Sequence, residues 1–190
     1  MFILNYKLYI CSISFGKSKV MEPQEKKKVL LKLRLWIAFF MVALVLSGVT
    51  AFPVETELKT LCSAAGVDSS TVNDSPAIFG FVYSIKERIV ELNQTTPQLS
   101  YGYDWLAFAH LVIALMFIGP FRDPVRNKWV IQWGIIACVA VVPLALISGP
   151  IREIPLYWRF IDCSFGVFGV IPLIICLRLI KRLESAEHQD

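Results

Sequence analysis

Four long apolar runs constrain the fold of this chain more than any other feature of its sequence. They cover residues 35–52, 105–121, 129–148 and 161–180. A helix that crosses the hydrocarbon core of a membrane needs about 20 predominantly apolar residues, within a range of about 17–25. Because lipid offers the backbone no hydrogen-bond partner, runs of this length predict helices and not strands. We therefore expect an all-α integral membrane protein with a bundle of four transmembrane helices; a soluble all-α core is the less favoured alternative.

The composition of the chain agrees with a membrane protein and argues against a nucleic-acid-binding one. Of its 190 residues, 56% are hydrophobic and 18% are charged, whereas soluble domains are about 45–50% apolar and about 25% charged. The net charge of +4 is small, and the basic residues lie beside the apolar runs without forming a separate basic domain. We expect contact with membrane lipid and none with nucleic acid.

The basic residues that flank the runs predict how the chain is threaded. Three groups fall on the same side of a four-span path: Lys26, Lys27, Lys28, Lys32 and Arg34; Arg122, Arg126 and Lys128; and Arg178, Lys181 and Arg182. Cytoplasmic loops of membrane proteins carry an excess of Lys and Arg. We expect both termini to be cytoplasmic, and the segments 53–104 and 149–160 to lie outside.

This threading divides the chain into a cytoplasmic N-terminal segment, residues 1–34, a single four-helix membrane domain, residues 35–182, and a cytoplasmic tail, residues 183–190. The first twenty residues have no basic region ahead of their apolar part, so they make a weak signal peptide. Met21 opens a basic stretch typical of a cytoplasmic lead-in. We predict that translation starts at Met21 and that residues 1–20 are an over-extended start; a disordered or interface-lying tail is the alternative.

The outer loop, residues 53–104, is predicted to be helical. An apolar stripe recurs at helical spacing in its second half, at Ile78, Val82, Ile85, Ile89 and Leu92. Ser75 and Pro76 are typical of the cap and first turn of such a helix. Gly66 predicts the end of a shorter helix over residues 54–65. We expect the longer helix to lie on the membrane surface or to cover the bundle as a lid.

Small residues predict the faces through which the spans pack, since lipid provides little hydrophobic drive for helix association. They are Ala43, Ser47 and Ala51 in the first span, Ala107 and Ala114 in the second, Gly134 and Cys138 in the third, and Cys163, Gly166 and Gly169 in the fourth. His110 shares the helical face of Ala107 and Ala114, so it should point into the bundle. Gly-Pro pairs at 119–120 and 149–150 are expected to end the second and third spans.

His110 is the strongest candidate for chemistry, because an ionisable side chain within a span is rare and serves as a functional hypothesis by default. It lies about 8 Å below the outer boundary of its span. Asp162 and Glu153 approach from the same outer side, and either could support His110 in acid–base chemistry. Arg152 and Arg159 could bind a phosphate or carboxylate head group as an anion clamp. Together these side chains would form one outer-facing polar pocket.

Plainer roles for the same residues stay open. His110 could hydrogen-bond a neighbouring helix, and Arg159 could pair locally with Asp162 at three-residue spacing. Cys163 could act as a nucleophile with His110, or it could form a disulfide with Cys62, which also lies outside in this threading. We expect no metal and no cofactor: the five cysteines and two histidines show no zinc-ligand spacing, and the second histidine lies in the tail, which excludes a haem held by two histidines within the spans.

Three segments of the second half carry a resemblance. They are YGYDWLAFAH at residues 101–110, FIGPFRDPVRN at 117–127 and GPIREIPLYWRFIDCSFGVFG at 149–169. These segments resemble a group of small bacterial four-span inner-membrane proteins of uncharacterised function. The resemblance implies the four-span fold and the bacterial plasma membrane as location. It implies no activity, cofactor or catalytic residue.

The absence of a recognisable catalytic constellation favours a non-enzymatic protein. We expect a binding or accessory unit whose outer-facing polar pocket takes a lipid or an anionic ligand. The first alternative is a membrane-embedded enzyme that acts on a lipid or isoprenoid head group. The second is an oligomeric transporter subunit, since a single bundle of four spans is small for transport. Expected partners are membrane lipid and either a membrane-protein partner or further copies of this chain.

Overall fold

The computed structural model of this protein describes residues 21–187. Within that range every regular element is a helix, and four helices are long and apolar enough to cross a membrane. The prediction of an all-helical fold with four such helices is therefore confirmed. The predictions for residues 1–20 and for the last three residues of the tail lie outside the described residues.

Seven α-helices follow one another along the described chain. They are α1 (Pro23–Ala51), α2 (Val54–Ala64), α3 (Ala77–Thr95), α4 (Pro97–Met116), α5 (Ile118–Arg122), α6 (Lys128–Ile151) and α7 (Leu156–Glu187). The four apolar runs coincide with α1, with α4 and α5 together, with α6 and with α7; Phe52, the last residue of the first run, follows the end of α1. The outer loop holds α2, a 3₁₀ turn at Val72–Asp74, and α3.

The four long helices pack in a row. The main contacts join α4 to α1, α1 to α7, and α7 to α6. The short helix α5 contacts both α1 and α6, so it closes the row into a ring at one end. We call this end the basic side, because Lys26, Arg122 and Lys181 lie there. The opposite end, which carries α2 and α3, is the loop side.

The best-buried part of the core lies toward the basic side. Phe117, at the break between α4 and α5, is only 1% exposed. Its ring centroid lies 4.8 Å from that of Phe40 on α1, and a Cβ added to Gly134 of α6 would lie 3.0 Å from the ring. One ion pair closes the same end, with 2.7 Å between Lys128 Nζ and Glu184 Oε2. Phe117 therefore joins α4, α1 and α6.

Glycines set the closest helix approaches, and one of them is at an unpredicted place. A Cβ on Gly48 of α1 would lie 2.9 Å from the carbonyl oxygen of Ala107 on α4. The predicted contact face of the first span is wrong, because Ala43 and Ser47 are exposed while Gly48 is buried. On α7, a Cβ on Gly166 would lie 2.5 Å from the Cys138 carbonyl oxygen of α6. The contact faces predicted separately for the third and fourth spans therefore meet each other at Gly166 and Cys138.

The loop helices follow the predicted pattern with one exception. Gly66 ends α2 with φ +66°, the left-handed conformation that glycine adopts at little cost. Ser75 does not cap α3, because its hydroxyl donates to the Thr71 carbonyl oxygen at 2.9 Å and the preceding 3₁₀ turn thereby occupies it. Pro76 takes the cap position instead.

The helix α3 connects two distant parts of the loop side. At its beginning, Tyr157 Oη of α7 donates to the Ala77 carbonyl oxygen at 3.2 Å, and the Phe81 ring lies 5.1 Å from the Trp158 ring. At its end, only Thr96 separates α3 from α4. The helix therefore extends from the start of α7 to the start of α4.

We expect Gly166→Ala to lower the free energy of unfolding by about 1–3 kcal/mol, because the added methyl group meets a backbone carbonyl that has no side-chain freedom to move aside. Gly102→Ala is the matched control, since a Cβ there has nothing within 4 Å and alanine favours a helix over glycine. Thermal unfolding in detergent, followed by circular dichroism, measures both. Equal stability of the two variants would contradict the close α6–α7 contact.

Candidate functional site

His110 lies where α4 meets α1, and its ring bonds to its own helix. Its Nδ1 lies 2.8 Å from the Leu106 carbonyl oxygen. Since a carbonyl only accepts, Nδ1 is the donor in this bond. A Cβ added to Gly48 would lie 3.1 Å from the Cβ of His110. The predicted bundle-facing position is therefore observed, but the hydrogen bond is within α4 and not to a neighbouring helix.

The connector between α6 and α7 takes its shape from the backbone. Ile154 N–H donates to the Gly149 carbonyl at 2.9 Å, and Glu153 N–H donates to the Pro150 carbonyl at 3.1 Å. This pair of bonds is the Schellman motif, in which the residue after the cap takes a left-handed conformation. Glu153 takes it, with φ 57°, where glycine is usual.

The Gly-Pro pairs lie inside the last turn of each helix, so the predicted ends agree with the structure to within two residues. Helix α5 includes Pro120, and α6 includes Pro150 and ends at Ile151. A proline near the end of a helix removes one amide donor, but the helix continues where the neighbouring turn satisfies the remaining groups. At the end of α6 the hydrogen bonds around Glu153 make that turn.

Arg159 is occupied by the connector itself. Its Nε donates to the Ile154 carbonyl oxygen at 2.8 Å, and its methylene groups cover Gly149, where an added Cβ would lie 2.5 Å from Arg159 Cδ. Within residues 21–187, neither Arg152 nor Arg159 has a carboxylate oxygen within 4.0 Å. The local Arg159–Asp162 pair is therefore not formed, and a backbone carbonyl takes its place.

The five predicted site residues fall in two places. His110 belongs to α4, whose main partners are α1 and α3. Arg152, Glu153, Arg159 and Asp162 belong to the α6–α7 connector and the first turns of α7. In the described part of the chain, no hydrogen bond or ion pair links His110 to any of these four. Their joint role in catalysis or anion binding stays a prediction.

The two outer cysteines are separate thiols in the structure. Cys62 is 4% exposed and lies in the outer loop beside Lys86 and Tyr83, whereas Cys163 lies on α7 and is partly buried; both are free. The predicted disulfide is thus not formed here. Among residues 21–187, no three His, Cys, Asp or Glu side chains come together as a group that could hold a metal ion.

A different site, which the sequence reasoning missed, lies where α1, α2, α3 and α4 meet on the loop side. It consists of two adjoining cavities of about 240 Å³ and about 370 Å³. Phe52, Tyr101 and Asp104 line both of them. The smaller cavity is otherwise apolar, with Trp105 and Phe108. The larger one adds mainly polar and loop residues: Pro53, Val54, Glu55, Asn93, Pro97, Ser100 and Tyr103. We call the pair the loop-side corner.

Asn93 of α3 holds the polar half of the loop-side corner together. Its Nδ2 donates to Glu55 Oε2 of α2 at 2.5 Å, and its Oδ1 accepts from the Ser100 hydroxyl of α4. Glu55 also accepts from Lys59 Nζ. The hydrogen bonds from Lys59 and then Asn93 lower the pKa of Glu55, so this carboxylate is ionised and already paired at neutral pH.

Aromatic rings form the apolar half of the loop-side corner. Tyr101, Trp105 and Phe108 follow one another on one face of α4, with successive ring centroids 5.9 Å and 6.1 Å apart and edge-to-face. All three rings are more than half exposed. Amphipathic rings at the end of a span are typical of the membrane–water interface. The corner therefore lies where an apolar and a polar environment meet.

Asp104 is the unpaired charge of the loop-side corner. It lines both cavities and is partly buried, yet within the described residues it has neither a hydrogen bond nor an ion pair through its carboxylate. No Lys or Arg lines either cavity. The sequence signal for this site is the segment YGYDW, which places Asp104 between aromatic residues directly ahead of the second apolar run.

We expect Arg159→Ala to lower the free energy of unfolding by about 1–2 kcal/mol, because it removes a partly buried charged hydrogen bond and uncovers Gly149. Arg152→Ala is the matched control: its side chain is exposed, so the change should stay within about 0.5 kcal/mol. Thermal unfolding in detergent compares the two. Equal effects would show that Arg159 does not stabilise the connector.

Comparisons of the chain with models of protein families, with curated proteins and with solved structures found no match.

Proposed function

We propose that this protein is a non-enzymatic, multi-pass plasma-membrane protein that binds one membrane lipid at the loop-side corner. The observation that carries the proposal is the direct contact of an apolar cavity with a polar one at the end of two apolar helices. A lipid has the same two-part chemistry, with an acyl chain beside a head group. The combined volume also suits a ligand, since binding cavities measure about 300–1,000 Å³.

Each half of the corner supports the proposal in its own way. The apolar cavity opens beside Trp105 and Phe108, which are exposed at the outer surface of the helix row and suit the first part of an acyl chain. The polar cavity offers Ser100, Tyr103 and the Asp104 carboxylate as hydrogen-bonding groups for a head group. The Asn93 hydrogen bonds fix the helices around it, so the cavity does not depend on a ligand for its shape.

We further propose that the basic side is cytoplasmic and the loop side extracytoplasmic, in a bacterial inner membrane. The charge distribution supports this orientation. The outer loop, residues 53–104, has seven acidic residues against three basic ones, whereas Lys and Arg flank the basic side. Such an excess of positive charge is the usual mark of the cytoplasmic side.

The alternative functions have less support. An enzyme based on His110 would need a catalytic partner, and the ring instead bonds to the Leu106 carbonyl of its own helix. An anion clamp would have to use the Nη groups of Arg159 and the exposed Arg152, because Nε of Arg159 already donates to the Ile154 carbonyl. The oligomeric transporter and a membrane-protein partner remain open alternatives, since each requires contacts with other chains.

We expect native mass spectrometry of gently extracted protein to show one retained lipid, and we expect Trp105→Leu to shed it. The indole supplies much of the apolar surface of the smaller cavity, and aromatic side chains bury large areas on binding. Trp129→Leu is the matched control: Trp129 is equally exposed, at 56% against 57% for Trp105, but lies on the basic side. A wild-type protein that retains no lipid would contradict the proposal.

The orientation is tested separately with fused reporters. A reporter enzyme that is active only in the periplasm should be active after Gly66, in the outer loop, and silent after Asp123, between α5 and α6. Insertion follows the Lys and Arg bias of short loops, so the two fusions should differ clearly. The reverse pattern would overturn the orientation without affecting the fold.

A further inference from the structure

We propose that the lipid at the loop-side corner carries an ammonium head group, as zwitterionic aminophospholipids do. This inference rests on the proposed function and adds the class of head group. It replaces the anionic ligand expected from the sequence with a cationic group, and it moves the site from the α6–α7 connector to the start of α4.

The carboxylate of Asp104 is the central observation. It lines both the apolar and the polar cavity, so it is within reach of the end of a head group that lies in the polar cavity while an acyl chain occupies the apolar one. Glu55, the other carboxylate in the lining, is already satisfied by Lys59 and Asn93. Asp104 has no such partner among residues 21–187. A partly buried carboxylate without a counter-charge favours a cationic ligand.

The aromatic rings around Asp104 add to this preference. Tyr101 and Trp105 are its neighbours in the lining of the smaller cavity. The faces of aromatic rings attract ammonium groups, most strongly for Trp, when the cation lies within about 6 Å of the ring centroid. A carboxylate beside exposed aromatic rings therefore recognises an ammonium group by both its charge and its size.

The surrounding charges disfavour an anionic head group. No Lys or Arg lines either cavity, so a phosphate that entered would meet the unpaired Asp104 carboxylate, while Glu55 is already neutralised by Lys59. The acidic excess of the outer loop extends this repulsion over its surface: Glu55, Glu57, Asp68, Asp74, Glu87, Glu91 and Asp104 against Lys59, Lys86 and Arg88. The phosphate of an aminophospholipid should consequently stay in the water-exposed mouth, with the ammonium group inside.

The test uses the full-length protein in nanodiscs that contain equal amounts of phosphatidylethanolamine and phosphatidylglycerol. The protein is then released from the nanodiscs and analysed by native mass spectrometry. We expect the retained lipid to be phosphatidylethanolamine over phosphatidylglycerol by about tenfold. Phosphatidylcholine should be retained as well, because its head group keeps the positive charge, although it has no ammonium hydrogen-bond donors. Asp104→Asn should reduce the preference to near parity, whereas Glu91→Gln, the same charge change at an exposed position of α3, should keep it.

The outcomes separate this inference from the proposed function. Equal retention of both lipids by the wild type would overturn the ammonium inference and leave lipid binding at the corner intact. A preference for phosphatidylglycerol would also overturn it, and would favour the arginines of the connector. Retention of no lipid would overturn both proposals. Should Asp104→Asn fail to fold, Asp104→Glu and the wild-type protein are used for the test. A wild-type ratio of retained phosphatidylethanolamine to phosphatidylglycerol near one is then sufficient to reject the inference.

Discussion

The packing of Phe117 is the interaction on which the arrangement of the long helices depends. Helices in lipid gain little from hydrophobic burial against one another, so their association depends on close packing. Phe117 supplies it at the break between α4 and α5, where its ring contacts Phe40 and lies over Gly134. Within residues 21–187, α5 closes the helix row at that end. The loop side is held by a different set of contacts, those of α3.

Hydrogen bonds organise the part of the loop side that lies next to α4, whereas apolar side chains such as Val82 and Ile89 are buried within the loop helices. Asn93 joins α2, α3 and α4 through Glu55 and Ser100. An amide side chain suits this place because it donates and accepts at once, and so satisfies partners on two helices. The polar cavity of the loop-side corner results from this junction, while the apolar cavity results from the aromatic face of α4. The loop-side corner is therefore polar beside the Asn93 junction and apolar beside the aromatic face of α4.

Sequence reasoning predicted the helices of this structure better than the contacts between them. Run length identified the four apolar helices, and Gly66 marked the end of α2, because both depend on local backbone requirements. The predicted contact face of α1 was wrong, since Gly48 allows a closer approach of α4 than Ala43 or Ser47 would. The expected meeting of His110 with Asp162 required α4 beside α7, and helical periodicity gives a face but not its partner. The loop-side corner needed four elements together, so only tertiary structure could reveal it.

The position of α3 has a mechanical consequence. Its 19 residues form a rod about 28 Å long, fixed at one end to Tyr157 and Trp158 of α7 and at the other to the junction around Asn93. A rod held at both ends transmits displacement. A movement of the loop-side end of α7 would therefore be passed on to the start of α4, although within residues 21–187 no hydrogen bond or ion pair joins the α6–α7 connector to the loop-side corner.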